Sequence, residues 1–269
     1  MIGRLLITGA AGGLGRVLRV GLAGYADTLR LSDIADMEPA GQNEEVVVCD
    51  LADRQAVLAL AEGCHGIVHL GGVSVEAAFD DLLGANLLGT YNIYEAARQA
   101  GIPRVLFASS NHAIGFHART EKLDVTAPLR PDSLYGVSKC YGEALSRYYF
   151  DKFGVESACV RIGSCFPEPR DRRQLSTWFS PRDFVSLVKA VFDAPVTGHL
   201  IVYGVSSNRQ LWWSNDHASF LGWTPQDSSE PFRAKVEATS PPENRRDPAV
   251  LYQGGTFAAS GHFEDETEG

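Results

Sequence analysis

Tyr135 and Lys139, in the run Leu134-Tyr135-Gly136-Val137-Ser138-Lys139, stand four positions apart. On a helix that spacing puts both side chains on one face, a turn apart. A free phenol has a pKa of about 10, too high for a useful base near neutrality. An ammonium group held nearby favours the phenolate and draws that pKa down. Chance produces Tyr-x-x-x-Lys often. This pair gains meaning from a glycine loop about a hundred residues upstream.

That loop is Gly9-Ala10-Ala11-Gly12-Gly13-Leu14-Gly15, a Gly-x-x-Gly-x-x-Gly run between a short apolar run and a helical pattern. Glycine there permits the tight turn and lets backbone N–H groups and a helix N-terminus approach a pyrophosphate. A plain strand-to-helix turn would also use glycine. Asp33 follows Gly15 by eighteen positions, near the spacing expected for the carboxylate that binds an adenosine ribose. It would accept from the 2′-hydroxyl and repel a 2′-phosphate, selecting NAD over NADP. A turn or capping role is its alternative. Asp50-Leu51 falls where the adenine would rest, and Asp50 reads equally well as the N-cap of the following helix.

The elements that must position these groups alternate. Arg4–Thr8, Thr28–Asp33, Glu45–Cys49, Gly66–Leu70, Arg104–Ser109 and Val155–Ile162 read as buried strands. Leu14–Leu22, Arg54–Glu62, Ala78–Ala100 and Tyr135–Phe153 carry helical periodicity. Such alternation predicts an α/β fold, a doubly wound parallel sheet of the Rossmann type. The expected organisation is a core over residues 1–165 and a small substrate-covering portion over 166–269 packed on it, together one structural domain. In that portion the patterns predict a helix over Arg182–Phe192, a strand over His199–Tyr203, a helix over Asp216–Leu221, an extended connection from Glu230 to Asp247 and a frayed acidic end from Glu264.

The 269 residues are 45% hydrophobic and carry a net charge of −9, which argues against nucleic acid or an anionic membrane as partner. No apolar run reaches the ~18 residues of a membrane span, and the N-terminus has no signal-peptide layout, so a cytoplasmic location is expected. The five cysteines are scattered, fitting reduced thiols better than disulfides, and neither they nor the seven histidines have metal-ligand spacing.

The glycine spacing, Asp33, Tyr135 with Lys139, and the strand end Phe107-Ala108-Ser109-Ser110 together resemble the extended short-chain dehydrogenase/reductase family. That resemblance makes Ser110 the third catalytic residue, holding the substrate oxygen toward Tyr135. Where many relatives continue with Val-Tyr-Gly, this chain has Asn111-His112-Ala113. Ala108–His112, Leu134–Cys140, Arg161–Cys165, Leu175–Ser180 and Gln253–Phe257 are similar to one narrower family, the uronate dehydrogenases, along nearly the whole chain.

The narrower resemblance implies oxidation of C1 of cyclic D-glucuronate or D-galacturonate with NAD, giving an aldarolactone. It implies that Arg173 binds the sugar carboxylate, for which a guanidinium is the natural bidentate partner. On charge alone, Arg170, Arg172 and Arg173 would read as a solvated basic face. It further implies that Asn111 and His112 bind sugar hydroxyls, although a lone histidine is often structural. Ser74, after Gly71-Gly72-Val73, is implied to touch both nicotinamide ribose and substrate, with Ser164 and Cys165 beside the nicotinamide. Asn86 reads as structural or water-holding. Relatives pair through their long helices, so a homo-oligomer is implied. The rival readings are a nucleotide-sugar epimerase or another sugar dehydrogenase, and a non-catalytic NAD sensor.

Overall fold

The computed structural model describes residues 2–262, so the expected fraying from Glu264 lies outside the described residues. In β1 (Ile2–Thr8), Leu5 and Ile7 point to one side and Leu6 to the other, and all are fully buried. A strand apolar on both faces must be covered on both, which is the condition for a parallel sheet between helix layers.

The sheet has seven strands, all parallel: β1, β2 (Ala26–Asp33), β3 (Glu44–Val48), β4 (Gly66–His69), β5 (Arg104–Ser110), β6 (Glu156–Ile162) and β9 (His199–Gly204). Their order is β3-β2-β1-β4-β5-β6-β9. A separate ladder pairs β7 (Ser164–Cys165) with β8 (Trp178–Phe179). Strand order reverses between β1 and β4, and a crevice opens there at the carboxyl ends of the strands.

One face is covered by α1 (Gly13–Gly21) and, later in the chain, α7 (Pro181–Asp193), whose Phe184, Leu187 and Val188 pack with Leu5 and Ile7. The other face carries α2 (Arg54–Ala61), α4 (Gly89–Ala100) and α5 (Leu134–Phe153), with Ile93, Tyr94 and Tyr149 against Leu6 and Val105. Asp53 caps α2 by accepting from the Gln55 and Ala56 amides. Asp50 instead accepts from the Ala52 amide in the turn, so the capping alternative for Asp50 falls to its neighbour.

The continuous helix expected over Ala78–Ala100 is broken. A short α3 (Phe79–Leu82) runs into a π-helical turn, Leu83–Leu88, before α4 begins. The wider turn re-aims Asn86, whose amide accepts from the Val73 N–H at 2.8 Å and donates to the Val73 carbonyl at 3.0 Å and to Ser138 Oγ at 2.9 Å. Asn86 therefore has the structural role expected of it.

Among the later segments, α6 spans Gln174–Thr177, and Asp216–Leu221 forms a 3₁₀ turn in place of the expected α-helix. The extended connection expected from Glu230 to Asp247 is partly helical, with α8 at Arg233–Thr239. Arg233 pairs with both Glu230 and Glu237, and Val236 is buried, which together hold that turn despite the flanking prolines. Short helices α9 (Pro248–Leu251) and α10 (Thr256–Ala259) flank Gln253.

Candidate active site

Gly9 has φ 71°, a left-handed conformation that favours glycine, and a Cβ there would stand 2.7 Å from the Gly71 nitrogen. A Cβ on Gly15 would stand 2.4 Å from the Gly9 carbonyl oxygen. These glycines are demanded by packing of the loop itself. Gly13 differs: a Cβ there would meet nothing within 4 Å, so it faces open space. The N-terminus of α1 has no side-chain cap, leaving its amides free for an anion. Asp33 closes β2 and accepts from the Ala11 amide at 2.9 Å, tying the acid to the loop. This set fits a dinucleotide with an unphosphorylated ribose.

A single cleft of about 1390 Å³ joins that loop to the remaining candidates. Gly9, Gly12, Gly13, Leu14, Gly15, Asp33, Asp50, Leu51, Gly71, Gly72 and Ser74 line it along the strand ends. Ser110, Asn111, His112, Tyr135, Lys139, Ser164, Cys165 and Arg173 line its other part. Residues scattered over the sequence are thus brought to one cavity at the sheet's switch point.

Tyr135 and Lys139 sit on the first turns of α5, whose N-cap Ser133 accepts from the Gly136 amide at 2.9 Å. Ser110 ends the neighbouring β5 and caps the 3₁₀ turn Asn111–Ile114 by accepting from the His112 amide at 3.2 Å. Tyr135 and Lys139 are both buried, and Lys139 Nζ lies 5.4 Å from the Tyr135 ring centroid. Burial pushes the Tyr135 phenol up to about 12, with Ser110 pulling the other way. The same burial pushes Lys139 down to about 8. Desolvation thus acts on both groups against their charged forms, raising the phenol and lowering the ammonium.

Arg173 lies just before α6, half-buried in the cleft wall. Its Nε donates to the Gln253 carbonyl at 2.7 Å and its Nη1 reaches Ser164 Oγ at 3.4 Å. The Asn111 amide, with its oxygen toward the guanidinium, accepts from Arg173 Nη2 at 2.7 Å and donates to the Ile162 carbonyl at 3.1 Å. Among the described residues no carboxylate pairs with Arg173, and burial pushes it down to about 10. A guanidinium whose hydrogen-bond partners are all neutral keeps donors and charge available to an anion. Cys165 is pushed up to about 12 by burial, leaving an uncharged thiol that lines the wall.

Sequence reasoning missed three residues. Asp132 holds His112, Phe257 stacks on the His112 ring with centroids 3.9 Å apart, and Glu76 accepts from the Leu134 and Tyr135 amides. Asp132, three positions before Tyr135 and directly before the cap Ser133, could have been flagged from its place in the sequence. Glu76 and Phe257 carry no local signal.

Comparison with known proteins agrees with this geometry. The profile of the NAD dependent epimerase/dehydratase family matches residues 5–224. The chain is 58% identical to uronate dehydrogenase of Agrobacterium fabrum, covering 97% of this chain and 98% of that protein. It is 56% identical to uronate dehydrogenase of Pseudomonas putida, covering 97% of each. A crystal structure of a tyrosine-to-alanine variant of uronate dehydrogenase from Agrobacterium tumefaciens, complexed with NAD, superposes with a TM-score of 0.96 at 57% identity, covering 98% of this chain and 99% of that one.

Proposed function

The chain belongs to the NAD dependent epimerase/dehydratase family and, within it, to the uronate dehydrogenases, and on that premise we propose that it oxidises the C1 hemiacetal of a hexuronic acid with NAD, giving an aldarolactone. The observation that carries the choice of an acidic sugar is Arg173, a half-buried guanidinium in the cleft wall whose hydrogen-bond partners are neutral and which has no ion-pair carboxylate among the described residues. D-Glucuronate and D-galacturonate both present the carboxylate it calls for.

The residues divide the work. Gly9 to Gly15 and the α1 N-terminus hold the pyrophosphate, Asp33 the adenosine ribose and Asp50 with Leu51 the adenine, while Gly71 and Gly72 line the cofactor cleft on the way to Ser74. When bound, NAD brings a cationic ring that favours the phenolate beside it and takes up the C1 hydrogen with its electron pair. Tyr135 removes the proton of the C1 hydroxyl while Ser110 holds that oxygen toward it. Lys139 supplies positive charge behind the phenol and hydroxyl-binding capacity for the nicotinamide ribose. Arg173, Asn111, His112 and Ser74 fix the sugar, and Ser164 and Cys165 line the nicotinamide side. Near-complete coverage of the uronate dehydrogenases, with only short helices after β9 among the described residues, favours a free sugar acid over a nucleotide sugar.

The small portion over 166–269 supplies Arg173 and Phe257 to the cleft and is read as the substrate-binding part of one structural unit. A homo-oligomer is proposed through the helices around Leu83, Leu88, Val137 and Tyr148, large apolar side chains exposed on one chain. The proposed location is the cytoplasm, supported by five cysteines that are all free.

The test follows NADH formation with uronic acids, neutral aldoses and nucleotide sugars in parallel. Turnover with uronates and loss of at least about tenfold in kcat/KM in Arg173→Met is the expected result. Activity with aldoses but not their uronates sinks the carboxylate assignment.

A further inference from the structure

Between β4 and α3 the chain runs without regular structure from Leu70 to Ala78, and Ser74 and Val75 on it are exposed to the cleft. Such a segment has few means of holding a side chain against a substrate. Here it is fastened on both sides of Ser74. Upstream, Val73 is held through its N–H and carbonyl by Asn86, which also donates to Ser138 Oγ. Ser138 Oγ in turn donates to the Tyr135 carbonyl at 2.7 Å. Downstream, one oxygen of the Glu76 carboxylate accepts from the Leu134 amide at 3.0 Å and the other from the Tyr135 amide at 2.9 Å. Both backbone polar groups of Tyr135 are thus engaged by the loop that carries Ser74, one directly and one through Ser138.

Resting on the roles of Tyr135 and Ser74 given above, we infer that Glu76 is a positioning residue for the oxidation: its carboxylate joins the Ser74 loop to the N-terminal turn of α5, so that sugar and base are placed as one unit. The charge suits the place, since a carboxylate at a helix N-terminus satisfies free amides and complements the helix dipole. A cap serving the helix alone is already present in Ser133, one residue from Leu134. Glu76 adds a direct connection across 58 residues, on the far side of Ser74 from the link that runs through Asn86 and Ser138. Misplacing a reacting group by even an ångström costs a rate heavily, so such a tie acts on turnover more than on folding.

The experiment compares wild type, Glu76→Ala and Glu76→Gln by steady-state kinetics with glucuronate, by NAD affinity from isothermal titration, and by thermal unfolding. The alanine variant is expected to raise KM for glucuronate about tenfold and lower kcat severalfold, with NAD affinity within about twofold of wild type. The glutamine variant keeps one acceptor oxygen and is expected to recover part of the loss, and it serves alone should the alanine variant not fold. Kinetic constants within about twofold of wild type in a variant with lowered Tm overturn the inference, leaving Glu76 a helix cap only. Parallel loss of NAD affinity also overturns it. A wild type inactive on every uronate refutes the functional reading itself, whereas an active wild type with indifferent variants refutes only the role of Glu76.

Discussion

His112 Nδ1 stands 2.9 Å from the carboxylate of Asp132, whose side chain is fully buried. Burial lowers the His112 pKa against the pull of Asp132, so the ring is neutral at neutral pH, and the carboxylate fixes the proton on Nδ1. Nε2 is then an acceptor for a sugar hydroxyl. Replacing Asp132 with Asn leaves the volume nearly unchanged but releases that choice of tautomer. The expected result is a loss of about tenfold in kcat/KM for uronates, the equivalent of roughly 1.4 kcal/mol. NAD affinity should hold, which titration checks.

Tyr135→Phe removes the proton acceptor and keeps the ring. Turnover should fall by about a thousandfold while NAD binding persists, as measured by stopped-flow NADH formation alongside a binding isotherm. Near-native turnover in this variant removes Tyr135 from the role of base.

The phenol, raised to about 12 by burial, sets the sign of the pH dependence. The phenol must lose its proton before it can accept one from C1, so kcat/KM for oxidation rises with pH instead of falling. Lys139→Met takes away the positive charge that favours the phenolate. The rising limb of the profile should then move to higher pH by about one unit. An unmoved limb shows that the lysine does not tune the tyrosine.

Asp33→Asn keeps an acceptor for the Ala11 amide while removing the negative charge facing the ribose. The preference for NAD over NADP should shrink by about tenfold, read as the ratio of kcat/KM values for the two cofactors.

The buried pair of Glu143 and Arg161 lies behind the site. Arg161 Nε and Nη2 donate to the two carboxylate oxygens at 2.9 and 2.8 Å, and Ser109 Oγ donates at 2.6 Å. Glu143→Ala strands a charge 3% exposed, and urea unfolding should show a loss of about 3–5 kcal/mol.

The cofactor half of the cleft was legible in the sequence because its determinants are local. Gly9, Gly12 and Gly15 act within one turn, and Asp33 ends the very next strand. Tyr135 and Lys139 were legible as a pair for the same reason. What escaped depends on tertiary partners. The π turn at Leu83–Leu88 exists where Asn86 reaches Val73 and Ser138, contacts that helical periodicity cannot contain. The turn over α8 forms because Arg233 finds Glu230 and Glu237 while Val236 is buried, overriding the reading of proline and charge as extended chain. The spacing of Tyr135 and Lys139 is visible in a sequence, whereas the depth of burial that raises the phenol is not. Arg173 stood out through its family resemblance, since its desolvation follows from the late segment around Gln253.

That segment binds the sugar arginine to a fluctuation. Gln253 is fully buried, with its N–H on the His117 carbonyl, its amide on Ala118 and Glu121 and its oxygen facing Trp213 Nε1, while Gly254 donates to Gly115. These bonds seat a strap outside the sheet, and strand ladders do not have to break for it to lift. Local opening of this kind requires less free energy than global unfolding. When it lifts, Arg173 loses the carbonyl that aims it and His112 loses the ring stacked on it, whereas the glycine loop and Asp33 stay as they were. On the proposed role of Arg173, any opening of the strap would weaken affinity for the sugar acid and leave affinity for the dinucleotide unchanged. Sugar should in turn slow amide hydrogen exchange over residues 252–257 more than cofactor does.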